Sequence, residues 1–264
     1  MYKIINDDCF NVMNKMITNN KKVNLIITSP PYNTGRPNTS ERAREHHEGR
    51  YDIHTDTMSQ EEYCNWCIDL FKKFDIILNA NGCVLWNVSY GSDASVNKVG
   101  VGLVWQVIAD IIRNTNFTVA DKIVWKKKSA LPNNVSPNKL TRITEDIFVF
   151  CRKNEYKTFY MNKPVKTIQE KTGQKFYHNV FNFIEAKNND EPTKLNKATF
   201  SSELVLFLLD LYGKKDEKYI VYDPFGGTGT TAKACKLFGC SNISSELSKE
   251  QCEYAIERID NLQV

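Results

Sequence analysis

Two short stretches of this chain carry residue types that could do chemistry. The first is Thr28-Ser29-Pro30-Pro31-Tyr32-Asn33, directly after the apolar run Val23-Asn24-Leu25-Ile26-Ile27. Consecutive prolines lack N–H groups and hold φ near −65°, so they cannot continue a sheet ladder. A stiff strand exit therefore presents a hydroxyl before the prolines and a ring after them, which suits a flat polar substrate such as a nucleobase. The second is Asp223-Pro224-Phe225-Gly226-Gly227-Thr228-Gly229-Thr230-Thr231, between a strand-like stretch at 219–222 and a helix-like one at 232–238. A glycine-rich turn there lets backbone approach a ligand and aims free helix N–H groups at it. No Gly-Lys-Ser/Thr closes it, so it is not a phosphate loop; Ala232 stands where the dinucleotide fingerprint needs its third glycine. Glu246, about twenty residues on, can accept hydrogen bonds from ribose hydroxyls.

The elements that must position these stretches alternate. Residues 2–6 and 23–28 read as strands around a helix at 9–18. Ser59 with Glu62 three residues on forms a capping box for a helix running to about Leu78. A strand at 84–88 and a helix at 99–114 follow, the latter with apolar residues at helical spacing. Apolar runs at 117–126 and 143–152, joined by a polar loop with Pro132 and Pro137, predict an antiparallel hairpin. A helix at 204–211 leads into the strand before the glycine-rich turn. The expected fold is α/β, a mostly parallel doubly wound sheet with helices on both faces and one antiparallel hairpin. Residues 156–189 fit the alternation poorly. One domain over 1–264 is expected, with 154–195 as a candidate target-recognition insertion.

The pair "TSPPYN" and "DPFGGTGTT" resembles the S-adenosylmethionine-dependent DNA amino-methyltransferases, which modify exocyclic amino groups of adenine or cytosine. The order of the two motifs is that of the circularly permuted β class, and the resemblance covers nearly the whole chain. It implies a class I methyltransferase fold. It also implies roles. Ser29 Oγ and the Pro30 carbonyl would accept from the target N–H groups, in a turn stiffened by Pro31, while Tyr32 stacks on a flipped base. Asp8, Thr28, Thr199, Phe200, Asp223, Pro224, Phe225, Gly227, Gly229, Thr230 and Glu246 would form the S-adenosylmethionine site. Phe225 would line the methionine end and Glu246 hold the ribose. Asn196 and Lys197 stand where the family usually carries His-Pro. A serine before Pro-Pro-Tyr usually accompanies N4-cytosine methylation in this family, and Asp or Asn usually accompanies N6-adenine. N4-cytosine is the expectation and N6-adenine the alternative; an RNA or protein methyltransferase, or a catalytically silent DNA-binding module, are readings from other classes. The resemblance further allows a cognate restriction endonuclease and a homodimer as partners.

Composition agrees with a catalytic domain acting on a polyanion. The chain has 264 residues, 41% of them hydrophobic, and a formal charge of +4. The charge is placed in loops: Arg36, Arg42, Arg44 and Arg50 in one; Lys126, Lys127, Lys128, Lys139 and Arg142 around a second; eight lysines against five acids across 154–197. Arg36, Arg42, Arg44, Lys127, Lys128, Lys139 and Arg142 are the candidate contacts to double-stranded DNA, since such loops neutralise phosphates. His46 and His47 read as solvated or DNA-facing. Eight cysteines are too sparse for a disulfide scaffold, and Cys64-Asn65-Trp66-Cys67 lacks the second pair a zinc site needs, so no metal is expected. No apolar run approaches the roughly 18 residues that span a bilayer, and no signal peptide is legible, so the expected location is cytoplasmic.

Overall fold

Strand and helix alternate from the first residues onward because apolar β-branched runs are separated by capped amphipathic segments. The computed structural model describes residues 1–33, 58–89, 102–130, 132, 137–138, 140–191, 195 and 199–262. Strand β1 (Tyr2–Asn6) leads to α1 (Cys9–Thr18), whose first turn is capped by Asp8 accepting from the Phe10 N–H at 2.8 Å. Strand β2 (Val23–Thr28) is buried along most of its length, as a central parallel strand must be. Helix α2 (Gln60–Ile77) opens on the expected capping box, with both the Ser59 and the Glu62 half present. Strand β3 (Leu78–Val88) follows without a loop. Then come α3 (Gly102–Asn114), β4 (Phe117–Lys127) and β5 (Thr144–Arg152).

After a short 3-10 turn, β6 (Val165–Ile168) and β7 (Lys175–Tyr177) pair with each other as a separate ribbon. Strand β8 (Phe183–Ala186) and helix α4 (Ser202–Tyr212) lead into β9 (Ile220–Asp223), α5 (Thr230–Phe238), β10 (Ser241–Glu246) and α6 (Lys249–Asp260).

The main sheet has the order β1-β10-β9-β2-β3-β5-β4-β8. Strands β1 to β3 in that order are parallel, whereas β5 runs antiparallel to both β3 and β4. One face is covered by α1, α2 and α3 around Met13, Phe71, Phe74 and Trp86; the other packs α4 and α5 on Leu25, Leu85, Val149 and Val221. The mostly parallel doubly wound sheet with its antiparallel hairpin is the expected one. From β9 the chain winds outward to β10, and from β2 it winds the other way to β3. The carboxyl ends of β9 and β2 thus flank the topological switch point, where open α/β sheets bind ligands.

Two expectations change. Strand β3 starts at Leu78 rather than Val84, because Leu78 already pairs with Val23; the register shift before Cys83 includes the left-handed Asn81 (φ 59°) and Gly82, where a Cβ would come to 2.7 Å from the Asn24 carbonyl. The segment 156–189 is not wholly outside the α/β pattern either. Its ribbon stands apart with every residue exposed, but β8 adds a parallel edge strand beside β4. No described helix is long and apolar enough to cross a membrane.

Candidate active site

The turn after β9 is held by one buried carboxylate. Asp223 Oδ1 accepts from Thr28 Oγ1 at 2.8 Å and from the Phe225 N–H at 3.0 Å, while Oδ2 accepts from Thr231 Oγ1 at 2.5 Å. These bonds staple the ends of β9, β2 and α5 together across the switch point. Burial pushes the Asp223 carboxyl up to about 6, against the pull of its hydroxyl and N–H donors. Gly227 adopts φ 51° and donates its N–H to Glu246 Oε2 at 2.9 Å; the Ser248 N–H reaches Oε1 at 2.9 Å. Glu246 is therefore fixed at the end of β10, and its remaining lone pairs can receive hydroxyl donors.

A pocket opens over these turns. Asp7, Asp8, Thr199, Phe200, Pro224, Phe225, Thr230 and Glu246 line it, with Ser29 and Pro31 from the turn after β2 on the same wall. Its aromatic side is a stack from α2 to the glycine-rich turn: Tyr63 on Trp66 (5.8 Å, 19°) and Trp66 against Phe225 (5.6 Å, 36°). The acids at its rim differ. Asp8 caps α1, whereas Asp7 accepts from Lys15 at 2.7 Å and from Asn11, which holds its carboxyl down at about 2.

Of the residues expected at the cofactor, Thr28 and Gly229 do not line the pocket. Thr28 is fully buried and serves Asp223. Gly229, at φ 80°, faces α6, where a Cβ would lie 2.7 Å from the Ala255 Cβ. Its glycine is required by packing and backbone geometry. Trp66 and Gln251 line the pocket without a sequence signal of their own, while Ser248, also on its wall, stands two residues after the expected ribose acid Glu246.

The turn after β2 is built from side chains. Tyr63 Oη donates to the Pro31 carbonyl at 2.7 Å, fixing the second proline. Asn33 (φ 51°) clasps Met58, accepting its N–H at 2.9 Å and donating to its carbonyl at 2.8 Å. Ser29 Oγ is hydrogen-bonded to Tyr32 Oη. Behind them lies Asn87 of β3, 4% exposed, whose Nδ2 lies 2.9 Å from Glu145 Oε2, 3.0 Å from Tyr32 Oη and 3.4 Å from Ser29 Oγ.

The basic candidates part company. Lys127 Nζ is 2.5 Å from Glu145 Oε1 and lies over the Trp125 ring, and Lys128 pairs with Glu203 on α4 at 3.2 Å. Arg142 sits exposed in the loop before β5. Arg36, Arg42, Arg44, Arg50, Lys139, His46 and His47 lie outside the described residues, as do Asn196 and Lys197. Cys64 and Cys67 are buried on the inner face of α2.

This pairing of a serine-proline turn with a glycine-rich turn across a switch point has counterparts. A family model for N6/N4 methyltransferases, described as DNA methylase, matches residues 23–257. The chain belongs to that family. The type II methyltransferase M.BglII of Bacillus subtilis is 23% identical, over 97% of this chain and 68% of its own length. Among solved structures, the PvuII DNA methyltransferase (cytosine-N4-specific) matches with a TM-score of 0.71 at 17% identity, covering 99% of this chain and 90% of that one. The M1.HpyAVI–SAM complex matches with a TM-score of 0.59 at 22% identity, covering 98% and 100%. As an N6/N4 DNA methylase, the protein must bring a methyl donor and an exocyclic amino group together, and the shared wall of its pocket is where the two turns meet.

Proposed function

We propose that this N6/N4 DNA methylase transfers the methyl group of S-adenosylmethionine to the exocyclic N4 of cytosine in duplex DNA, with the target base turned out of the helix. The observation that carries the reading is that Ser29 and Pro31 line the same pocket as Glu246, Phe225 and Asp8. The pocket residues fit the cofactor. Glu246 can accept from ribose hydroxyls, Asp8 can meet an ammonium, and Trp66 and Phe225 offer π faces to an adenine or a cationic sulfonium. Bound there, S-adenosylmethionine supplies an activated methyl group on positively charged sulfur.

The remaining work falls to the chain. An aryl amine is a weak nucleophile because its lone pair is delocalised into the ring. Ser29 Oγ and the Pro30 carbonyl accept its N–H groups and localise that lone pair as the nitrogen becomes tetrahedral. The two prolines keep both acceptors in place before the base arrives, and the Tyr32 ring packs on the base. Extruding the base costs a few kcal/mol, which stacking offsets in part. The exposed Ile168, Phe176, Tyr177 and Phe181 on and beside the β6–β7 ribbon, interspersed with Lys163, Lys166, Lys171 and Lys175, support target reading by residues 154–195. Within this reading 1–264 is one catalytic domain.

The base assignment rests on Ser29. Mass spectrometry of nucleosides from DNA methylated in vitro is expected to show N4-methylcytosine. N6-methyladenine without N4-methylcytosine would overturn it.

A further inference from the structure

The catalytic turn is backed by a charged group that a bound base need never touch. Glu145, at the second position of β5, is 6% exposed and lies directly behind Tyr32 and Asn87. It reaches them because β3 and β5 pair with Asn87 opposite Ile147, while β4 brings in Lys127 from the other side. We propose that Glu145 is a positioning residue for Ser29, fixing the direction of the hydroxyl chain so that Ser29 keeps its lone pairs for the substrate. The proposal rests on Ser29 acting as an acceptor.

The direction follows from what each group can do. A carboxylate only accepts and an amide NH2 only donates. Asn87 Nδ2 gives its hydrogens to its two nearest acceptors, Glu145 Oε2 at 2.9 Å and Tyr32 Oη at 3.0 Å. The single Tyr32 hydroxyl proton then faces Glu145 Oε2, 3.4 Å away. That distance is long for an O–H···O bond, so the carboxylate orients the hydroxyl electrostatically. With its proton turned to Glu145, the Tyr32 oxygen receives the proton of Ser29. Ser29 Oγ is left with acceptor capacity, as an incoming N–H demands. Reversing the chain would turn the Tyr32 proton onto Ser29, consume a lone pair there, and set the Ser29 proton against the amine's own N–H. Lys127, 2.5 Å from the other Glu145 oxygen, and Tyr32, 3.4 Å from Oε2, are the titratable side chains that face this carboxyl among the described residues.

The test uses the full-length chain, S-adenosylmethionine and duplex DNA. Glu145→Gln keeps the shape but adds a donor that can reverse the chain. It is expected to lower kcat about 10²-fold while leaving KM for DNA and the calorimetric affinity for S-adenosylmethionine unchanged. Glu145→Asp, still a pure acceptor, should recover part of the loss. Tyr32→Phe keeps the ring and cuts the chain; the double variant should be no slower than the slower single one, because both act on one path. Losses that multiply, or a Glu145→Gln enzyme with parental kcat, overturn the proposal. If Glu145→Gln does not fold, Tyr32→Phe decides: a kcat loss at constant KM supports the chain, and parental kcat overturns it. Ser29→Ala separates the two levels, since an enzyme that is fully active without the serine hydroxyl overturns the acceptor reading itself.

Discussion

Two turns sit side by side at the ends of neighbouring parallel strands, and they are built in opposite ways. The turn after β9 is held by local backbone N–H groups closing on two carboxylates, Asp223 and Glu246. Gly226, Gly227 and Ser248 donate N–H groups to fixed acceptors, and Asp223 and Glu246 each receive at least two donors within the fold. The turn after β2 is held through side-chain contacts with distant elements: Tyr63 of α2, Asn87 on β3, Glu145 on β5, and its own Asn33 gripping the Met58 backbone ahead of α2. Its amide Asn87 even keeps a buried Oδ1 with no partner among the described residues. Backbone saturation makes a rigid receptacle. Side-chain suspension leaves hydroxyls whose hydrogens can be directed, which is what the proposed role of Ser29 requires. The Thr28–Asp223 bond is the joint between them.

The contrast can be broken experimentally, most forcefully in the backbone-held turn. Gly229→Val would combine a β-branched residue at φ 80° with a Cβ 2.7 Å from Ala255. Strain and overpacking together are expected to destabilise the fold by roughly 4 kcal/mol, read as a lower urea midpoint, with loss of cofactor binding. A midpoint near the parent's would show that this turn is not rigid.

The next effect is electrostatic. Burial raises the Asp223 carboxyl from 3.8 to about 6 in the folded state. Stability from this group is therefore fully present below pH ~4 and is lost as pH rises through about 6, a cost on the order of 3 kcal/mol at pH 7. Asp190 has the opposite sign. Bonds from Ser202 and Lys233 outweigh its burial and lower its carboxyl, so its contribution is lost only as pH falls through its folded value. Asp223→Asn should gain on the parent in urea midpoint between pH 4 and pH 7; a constant difference would contradict this assignment.

The smallest effect sharpens the comparison from the other turn. Tyr63→Phe keeps the ring on Trp66 but frees the Pro31 carbonyl. A stability loss of about 1 kcal/mol is expected, with kcat falling and affinity for S-adenosylmethionine unchanged. Weakened cofactor affinity would mean that the two turns are not separable.

The same contrast explains what was legible in the sequence. The glycine-rich turn reads directly, because strand, turn, helix and following acid are local and each residue type has a backbone reason. The serine-proline turn reads as a rigid exit for the same cause. Its support does not read at all. Asn87 and Glu145 sit inside ordinary apolar strands, and only the antiparallel pairing of β3 with β5, far apart in sequence, brings them together. Lys127 reads in the sequence only as a candidate phosphate contact, and its ion pair with Glu145 emerges once β4 is placed beside β5. The β8 strand is similarly silent: four residues acquire meaning only at the edge of β4.

The Asn33–Met58 clasp has a consequence for how a disturbance travels. One amide side chain grips both backbone groups of Met58, directly ahead of the Ser59 cap of α2. The far end of the serine-proline turn and the first turn of α2 therefore share one anchor. Fraying that helix start would loosen Asn33, and through it the turn that carries Ser29, with no change at the turn itself.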